Sequence, residues 1–139
     1  MTDPTEDVLD KRWQGICDRY DSSGLQDMSS EERRFFLIYD MLGQVGNGGL
    51  GGYFGNSTGH LAGQTADALD LLGANRSAEV MRRAMVHFPE GVVPVNWEDR
   101  RSVIDGLDDC VFEDWGESSK VIYDEEKLII QRLSELPST

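Results

Sequence analysis

Eight of the seventeen residues from Gly43 to Gly59 are glycine, and no other stretch narrows the possible folds of this chain so much. Glycine loses more backbone freedom on folding than any other residue. A run this dense is kept where the backbone must take φ > 0 or approach another segment closely. Tyr53 and Phe54 lie inside the cluster. Two aromatic rings among glycines predict an elbow that lets helices cross closely while the rings anchor it in the core. Asn47 and Asn56 are placed to tie its backbone through side-chain hydrogen bonds. The structural elbow is therefore expected from Asn47, Gly48, Gly49, Tyr53, Phe54 and Asn56.

Gly46, Gly48 and Gly51 also satisfy G-x-G-x-x-G. That motif cradles a pyrophosphate when it follows a strand and opens a helix. Here a helical pattern precedes it, no acidic ribose-binding residue follows in a βαβ context, and no Lys-Ser or Lys-Thr pair completes a phosphate loop. No nucleotide or other cofactor is expected.

The flanking sequence is helical almost throughout. From Val8 to Tyr20, Leu9, Trp13, Ile16, Cys17 and Tyr20 recur at three and four, and Gly24 ends the pattern. Ser29 and Glu32 form a capping-box pattern ahead of Phe35, Phe36, Tyr39, Leu42 and Val45, so a second helix runs to the glycine cluster. A third covers Thr58 to Leu72 and stops at Gly73. Asn75 reads as the next N-cap, before a stripe of Val80, Met81, Ala84, Met85 and Phe88 that Pro89 and Gly91 break. Val92 to Val95 suits a short extended piece, although Pro94 argues against a central strand. Asn96 and Asp99 open a helix with Val103, Ile104, Leu107 and Val111 on one side and Asp105, Asp108, Asp109 and Glu113 on the other. Gly116 and Ser118-Ser119 mark a break, and Leu128, Ile129, Leu133 and Leu136 suit a last helix before Pro137. The expected fold class is all-α: a single-domain irregular orthogonal bundle of six or seven helices over residues 1–139, with a glycine-rich helix-helix elbow.

Charge speaks about partners. The net charge is -13, which disfavours nucleic acid and anionic membranes and favours basic surfaces. Nine acids against three bases lie between Met1 and Glu32, seven of each between Arg33 and Ile104, and nine acids against Lys120 alone between Asp105 and Glu126. The acids sit at the two ends of the chain. If residues 103–113 are helical, Asp105, Asp109 and Glu113 line up at intervals of about 6 Å, with Asp108 beside them. DNA presents about one charge per 1.7 Å, so one row falls short of a duplex. The row joined by Asp3, Glu6, Asp7 and Asp10, or doubled across a dimer axis, comes closer. These eight acids are the candidate partner-binding surface; the plain alternative is a solvated face that keeps the protein soluble.

Other signals are weaker. A chain of 139 residues buries about 68% of its unfolded surface without a metal or disulfide staple. Cys17 and Cys110 are expected as free thiols. No apolar run approaches the roughly 20 residues of a membrane span, and the N-terminus lacks a signal-peptide pattern, so a cytoplasmic protein is expected. His60 and His87 lack a second ligand at metal spacing. Ser57, His60 and Asp67 lack the Gly-x-Ser-x-Gly context of an activated serine. Glu98-Asp99 and Glu113-Asp114 are sequence neighbours that point apart on a helix. Trp97 and Trp115 suit core or rim positions, and Arg82-Arg83 and Arg100-Arg101 suit surface positions that offset acids. No catalytic residue and no metal site is expected.

Asn47-Gly48-Gly49, Tyr53-Phe54 with Asn56, Ala68-Leu69 and Gly73-Ala74 together resemble the bacterial DNA-mimic protein family of the DMP-nineteen type, catalogued mainly as a domain of unknown function. The likeness is good from about Ser29 to Phe88. The family pattern commonly has Glu where this chain has Gln44, an aromatic where it has Leu50, and Gln where it has Gly52. The resemblance implies an all-α fold and frequent homodimerisation. For the member that gave the family its name, it also implies an acidic surface that mimics DNA to occupy a transcription factor.

The leading functional expectation is an acidic protein-interaction module, a DNA mimic in its sharpest form, that binds a basic protein such as a DNA-binding protein or transcription factor. It involves no direct contact with nucleic acid or membrane. The alternatives are a small-ligand or enzymatic pocket at the Asn47–Asn56 elbow, an immunity or antitoxin-like protein, or a domain with no defined activity.

Overall fold

The computed structural model describes residues 4–136, with side chains from Asp7 onward. Asp3 lies outside the described residues, and of Glu6 only the backbone is described. The fold is all-α, with six α-helices and no strand among the described residues: α1 Pro4–Ser23, α2 Ser30–Gly55, α3 Ala62–Leu72, α4 Asn75–Met85, α5 Trp97–Asp105 and α6 Asp109–Ser134. Single 3-10 turns at Gly59–Leu61 and Pro89–Gly91 join α2 to α3 and α4 to α5.

Two long helices organise the core. Helices α2 and α6 are 26 residues each and pack against one another. α2 begins where the local chemistry predicts. Ser29 Oγ accepts from Glu32 N at 3.1 Å, Glu32 Oε1 accepts from Ser29 N at 3.2 Å, and Glu32 is also ion-paired with Arg19 of α1. Its apolar face buries Phe35, Phe36, Ile38, Met41 and Val45. α6 presents Trp115, Ile122, Ile129 and Leu133, all nearly inaccessible. Helices α3 and α4 form a hairpin around Gly73, whose φ of 93° uses the left-handed freedom of glycine. The hairpin lies on α6, with Trp115 Nε1 donating to Ala84 O at 3.1 Å.

The glycine cluster does bend the chain, and it does so inside α2. Gly48 (φ -152°, ψ 17°) and Gly49 (φ 66°, ψ -169°) leave the helical region, so α2 is two helical pieces meeting at a kink. The backbone groups released there are taken up by α6. Ser119 Oγ accepts from Leu50 N at 3.0 Å and donates to Trp115 O at 2.7 Å, while Tyr123 Oη donates to Val45 O at 2.6 Å. Tyr53 and Phe54 beyond the kink are buried. The Phe54 ring centroid lies 4.9 Å from that of Trp115 and 5.1 Å from that of Phe88. Aromatic pairs of this kind contribute about 0.5–1.5 kcal/mol beyond their burial.

Three expectations are corrected. α6 runs unbroken through Gly116, Ser118 and Ser119; both serines are buried, and Ser119 bonds to α2. The helix expected across residues 103–113 is two helices: α5 closes at Asp105 with Gly106 as its C-cap, and α6 starts at Asp109 with Asp108 as N-cap. Asn75 is the first residue of α4 and not its cap, since the donors there are served by α6. Glu125 Oε1 accepts from both Ser77 N and Ser77 Oγ at 2.6 Å. Asn75 Nδ2 donates instead to Asp70 Oδ1 at 3.0 Å.

Arg100 also departs from expectation. It is 1% exposed and forms no salt bridge with a described carboxylate. Its guanidinium donates to Phe54 O and Pro94 O at 2.7 Å, Asn56 O at 2.6 Å and Val95 O at 3.3 Å. The cation thus closes the carbonyl end of α2, where the helix dipole favours positive charge. The segment before α5 is pinned by the same group.

Candidate functional site

The expected acidic row is not a row. Asp105 ends α5, Asp108 caps α6, Asp109 is its first residue, and Glu113 stands one turn further on. The Gly106–Asp108 break separates Asp105 from the others, so only Asp109 and Glu113 keep the i, i+4 relation. All four are exposed. On α1, Asp7 and Asp10 are exposed, and Tyr39 Oη of α2 donates to Asp10 Oδ1.

Other acids of the 105–126 segment serve the fold. Asp114 accepts from Arg83 at 2.9 Å and meets His87 Nε2 at 2.8 Å; Glu117 pairs with Lys120 at 3.1 Å; Glu125 is buried at the start of α4. The hydrogen bond to His87, with Arg83 beside it, holds the Asp114 carboxyl below its usual range. Asp105, Asp108, Asp109, Glu113, Asp124 and Glu126 are exposed and form no salt bridge with a described residue. In the neutral middle of the chain, several cations are already occupied. Arg82 bridges Asp67 and Asp70 at 2.8 and 2.6 Å, and Arg101 lies over the Trp97 ring at 5.5 Å.

The two acidic segments meet at a cleft of about 470 Å³ between α1, α2 and α6. Asp10 comes from α1, Asp40 from α2 and Glu126 from α6, and none of the described residues lining it is basic. Leu9, Trp13, Tyr39, Leu42 and Ile130 supply the apolar wall. Trp13 and Tyr39 meet edge to face, with ring centroids 5.4 Å apart. Asp40 Oδ2 accepts from Thr58 Oγ1 at 2.6 Å. Burial pushes the Asp40 carboxyl above its usual range, against the hydrogen bonds from Thr58 and Gln44. Gln44, also on the wall, accepts from Asn56 Nδ2 at 2.5 Å. The cleft is thereby wired to the elbow.

A sequence profile describing DMP19-like proteins matches residues 26–136, from just before α2 to the end of α6. The chain belongs to the DMP19-like protein family. No curated protein and no solved structure gives a match. The DMP19-like region holds the kinked α2, the hairpin and α6, and it begins after α1. Asp10 and Trp13, one wall of the cleft, therefore come from outside the matched segment.

Within this DMP19-like chain the elbow residues divide by environment. Tyr53 is buried, and burial raises its phenol well above the usual range. Thr65 Oγ1 donates to Leu61 O at 2.9 Å, so Tyr53 is the donor in its 3.3 Å contact with Thr65. Asn56 is exposed and ties the elbow, with Nδ2 also donating to Gly52 O at 2.8 Å. Asn47 is exposed and makes no side-chain hydrogen bond with a described residue, so it does not tie the kink as expected. That work falls to Ser119 and Tyr123, which lie 69 and 78 residues downstream of the backbone groups they bond and carry no local sequence signal for it. Asp67, which spacing could join to Ser57 and His60, is instead engaged by Arg82. Among the described residues no group of three or more His, Cys, Asp or Glu is placed to hold a metal ion, and no helix is long and apolar enough to cross a membrane.

Proposed function

We propose that this DMP19-like chain is a cytoplasmic, acidic protein-interaction module that docks on a basic protein in the manner of a DNA mimic. The proposed role is binding, not catalysis. The observation that carries it is the set of exposed carboxylates from the end of α5 through α6, namely Asp105, Asp108, Asp109, Glu113, Asp124 and Glu126, without salt-bridge partners among the described residues. Charges left in this state repel one another, and a cationic surface relieves that repulsion. A homodimer would double the surface and bring its charge nearer to that of a duplex, which presents about one charge per 1.7 Å.

The test is capture of basic DNA-binding proteins from the source cell on the immobilised chain, followed by affinity measurement on the purified partner. Affinity should fall steeply between about 0.01 and 0.15 M salt, as the screening length shrinks from about 30 to about 8 Å. Reversal of Asp105, Asp108 and Asp109 to Lys should abolish binding, and DNA should compete for the partner. Salt-insensitive binding, or full binding by the triple variant, would sink the proposal.

A further inference from the structure

The cleft between α1, α2 and α6 has a chemistry that docking on a flat cationic surface does not use. Its carboxylates, Asp10, Asp40 and Glu126, form no salt bridge with a described residue, and none of the described residues lining the walls is basic. A concave, low-dielectric wall concentrates the field of such charges. The volume, about 470 Å³, lies within the range of small-ligand sites, roughly 300–1,000 Å³. Anions are excluded by charge.

Two further features choose among cations. The three carboxylates come from three different helices and do not converge closely enough to hold a metal ion. Charge distributed around a cleft suits an extended ligand better than a point ion. Aliphatic side chains and the rings of Trp13 and Tyr39 line the same cleft, and they suit methylene groups and attract ammonium or guanidinium. We propose that this cleft binds a linear aliphatic organic cation, an alkyl polyamine or guanidinoalkylamine, with its charged ends at Asp10, Asp40 and Glu126 and its methylenes against Trp13 and Tyr39. Burial disfavours the charged form of Asp40, and a bound cation favours it. Gln44 and Asp40 also bond to Asn56 and Thr58, which places the cleft beside the turn after α2.

The experiment is calorimetric titration of the full chain with agmatine and with spermidine, using a straight-chain diol of similar length as the uncharged control. Saturable binding at one site is expected for at least one cation, and none for the diol. Asp40→Asn and Glu126→Gln should each weaken binding about 10-fold or more, since each removes a charge-assisted contact. Asp108→Asn combined with Asp109→Asn, outside the cleft, should change it less than about 2-fold. Glu126 is exposed, so Glu126→Gln remains informative even if Asp40→Asn misfolds. Absence of saturable binding by both cations, equal binding of the diol, or equal loss in the Asp108/Asp109 variant would overturn the proposal. Binding of an arginine-containing peptide without binding of free agmatine or spermidine would overturn it too, assigning the cleft to a partner's side chain. None of these outcomes depends on the docking partner.

Discussion

Helices α2 and α6 have the same length, 26 residues, and lie against each other, yet one is kinked and the other runs through. Both contain residues that favour a break: Gly48-Gly49 in α2, and Gly116 with Ser118-Ser119 in α6. The difference lies in what happens to the backbone groups. A kink strands donors and acceptors, and stranded groups in a core are costly. At Gly49 they find Ser119 and Tyr123 of the neighbouring helix. At Gly116 the helix is exposed on one side and has Trp115, buried and bonded to Ala84, on the other, so continuing costs least. The same serine that looks like a breaker of α6 is the residue that completes the break in α2.

The strongest way to break this comparison is to put a methyl group at each glycine. Past the end of α2, a Cβ on Gly59 would lie 2.5 Å from Phe54 O and 2.8 Å from Phe54 Cα, both backbone atoms that cannot swing aside. Gly59→Ala should cost about 3 kcal/mol, the upper end of ordinary overpacking. Gly49→Ala should cost about 1–3 kcal/mol, because its φ of 66° with extended ψ is glycine territory and its Cβ would stand 3.3 Å from Ser119 Oγ. Urea midpoints at unchanged slope provide the measurement. If Gly49→Ala is neutral, the kink is not held by glycine and the comparison fails.

Next in size is Ser119→Ala. It removes the acceptor of Leu50 N and leaves a buried donor unpaired, for a loss of about 1–3 kcal/mol. A double-mutant cycle with Gly49→Ala should be non-additive, because both changes act on one contact. Additive losses would mean that Ser119 matters for packing alone. On α6, Gly116→Ala should have the opposite sign. Nothing lies within 4 Å of its added Cβ and the position is mid-helix, so a gain of about 0.5–1 kcal/mol is expected.

The contrast also shows which parts of the molecule were legible in sequence. The α2 start could be read from Ser29 and Glu32 because a capping box is closed within four residues, and the stop at Gly73 because a left-handed C-cap is a local need. The break that Gly116 and Ser118-Ser119 predict in α6 does not form, because serine is helix-neutral and the role of Ser119 depends on a partner about seventy positions away. Arg100 was misread for a related reason. Its periodicity is that of a surface residue, and its partners are carbonyls of α2 and the Pro94–Val95 segment, which carry no side-chain signature. The acidic ends were visible as composition. Their meeting at Asp10, Asp40 and Glu126 was not, because Asp40 belongs to the charge-neutral middle and only tertiary packing brings it between the other two.

The smallest expected effects concern one aspartate on each long helix, and they should differ in sign. Asp114 on α6 has its pKa lowered, first by the hydrogen bond to His87 and then by Arg83. Its stabilising contribution is present above the unfolded value, about 3.9, and is lost as pH falls through the lower folded value. Asp114→Asn should therefore lower the thermal midpoint at pH 7 by the equivalent of about 0.2–1 kcal/mol, as for an exposed pair, and the deficit should vanish in acid. Asp40 on α2 has its pKa raised by burial. Its favourable contribution is complete below the unfolded value and is lost as pH rises through the raised folded value, so the buried group costs stability at higher pH. Asp40→Asn keeps an acceptor for Thr58 and should raise the midpoint at pH 7, by an amount that shrinks towards zero on acidification. A rise in midpoint with Asp40→Asn, at a position on the wall of an acidic cleft, would favour a binding role over a folding role. A fall in midpoint at pH 7 with Asp40→Asn would reverse that argument and make Asp40 a structural partner of Thr58.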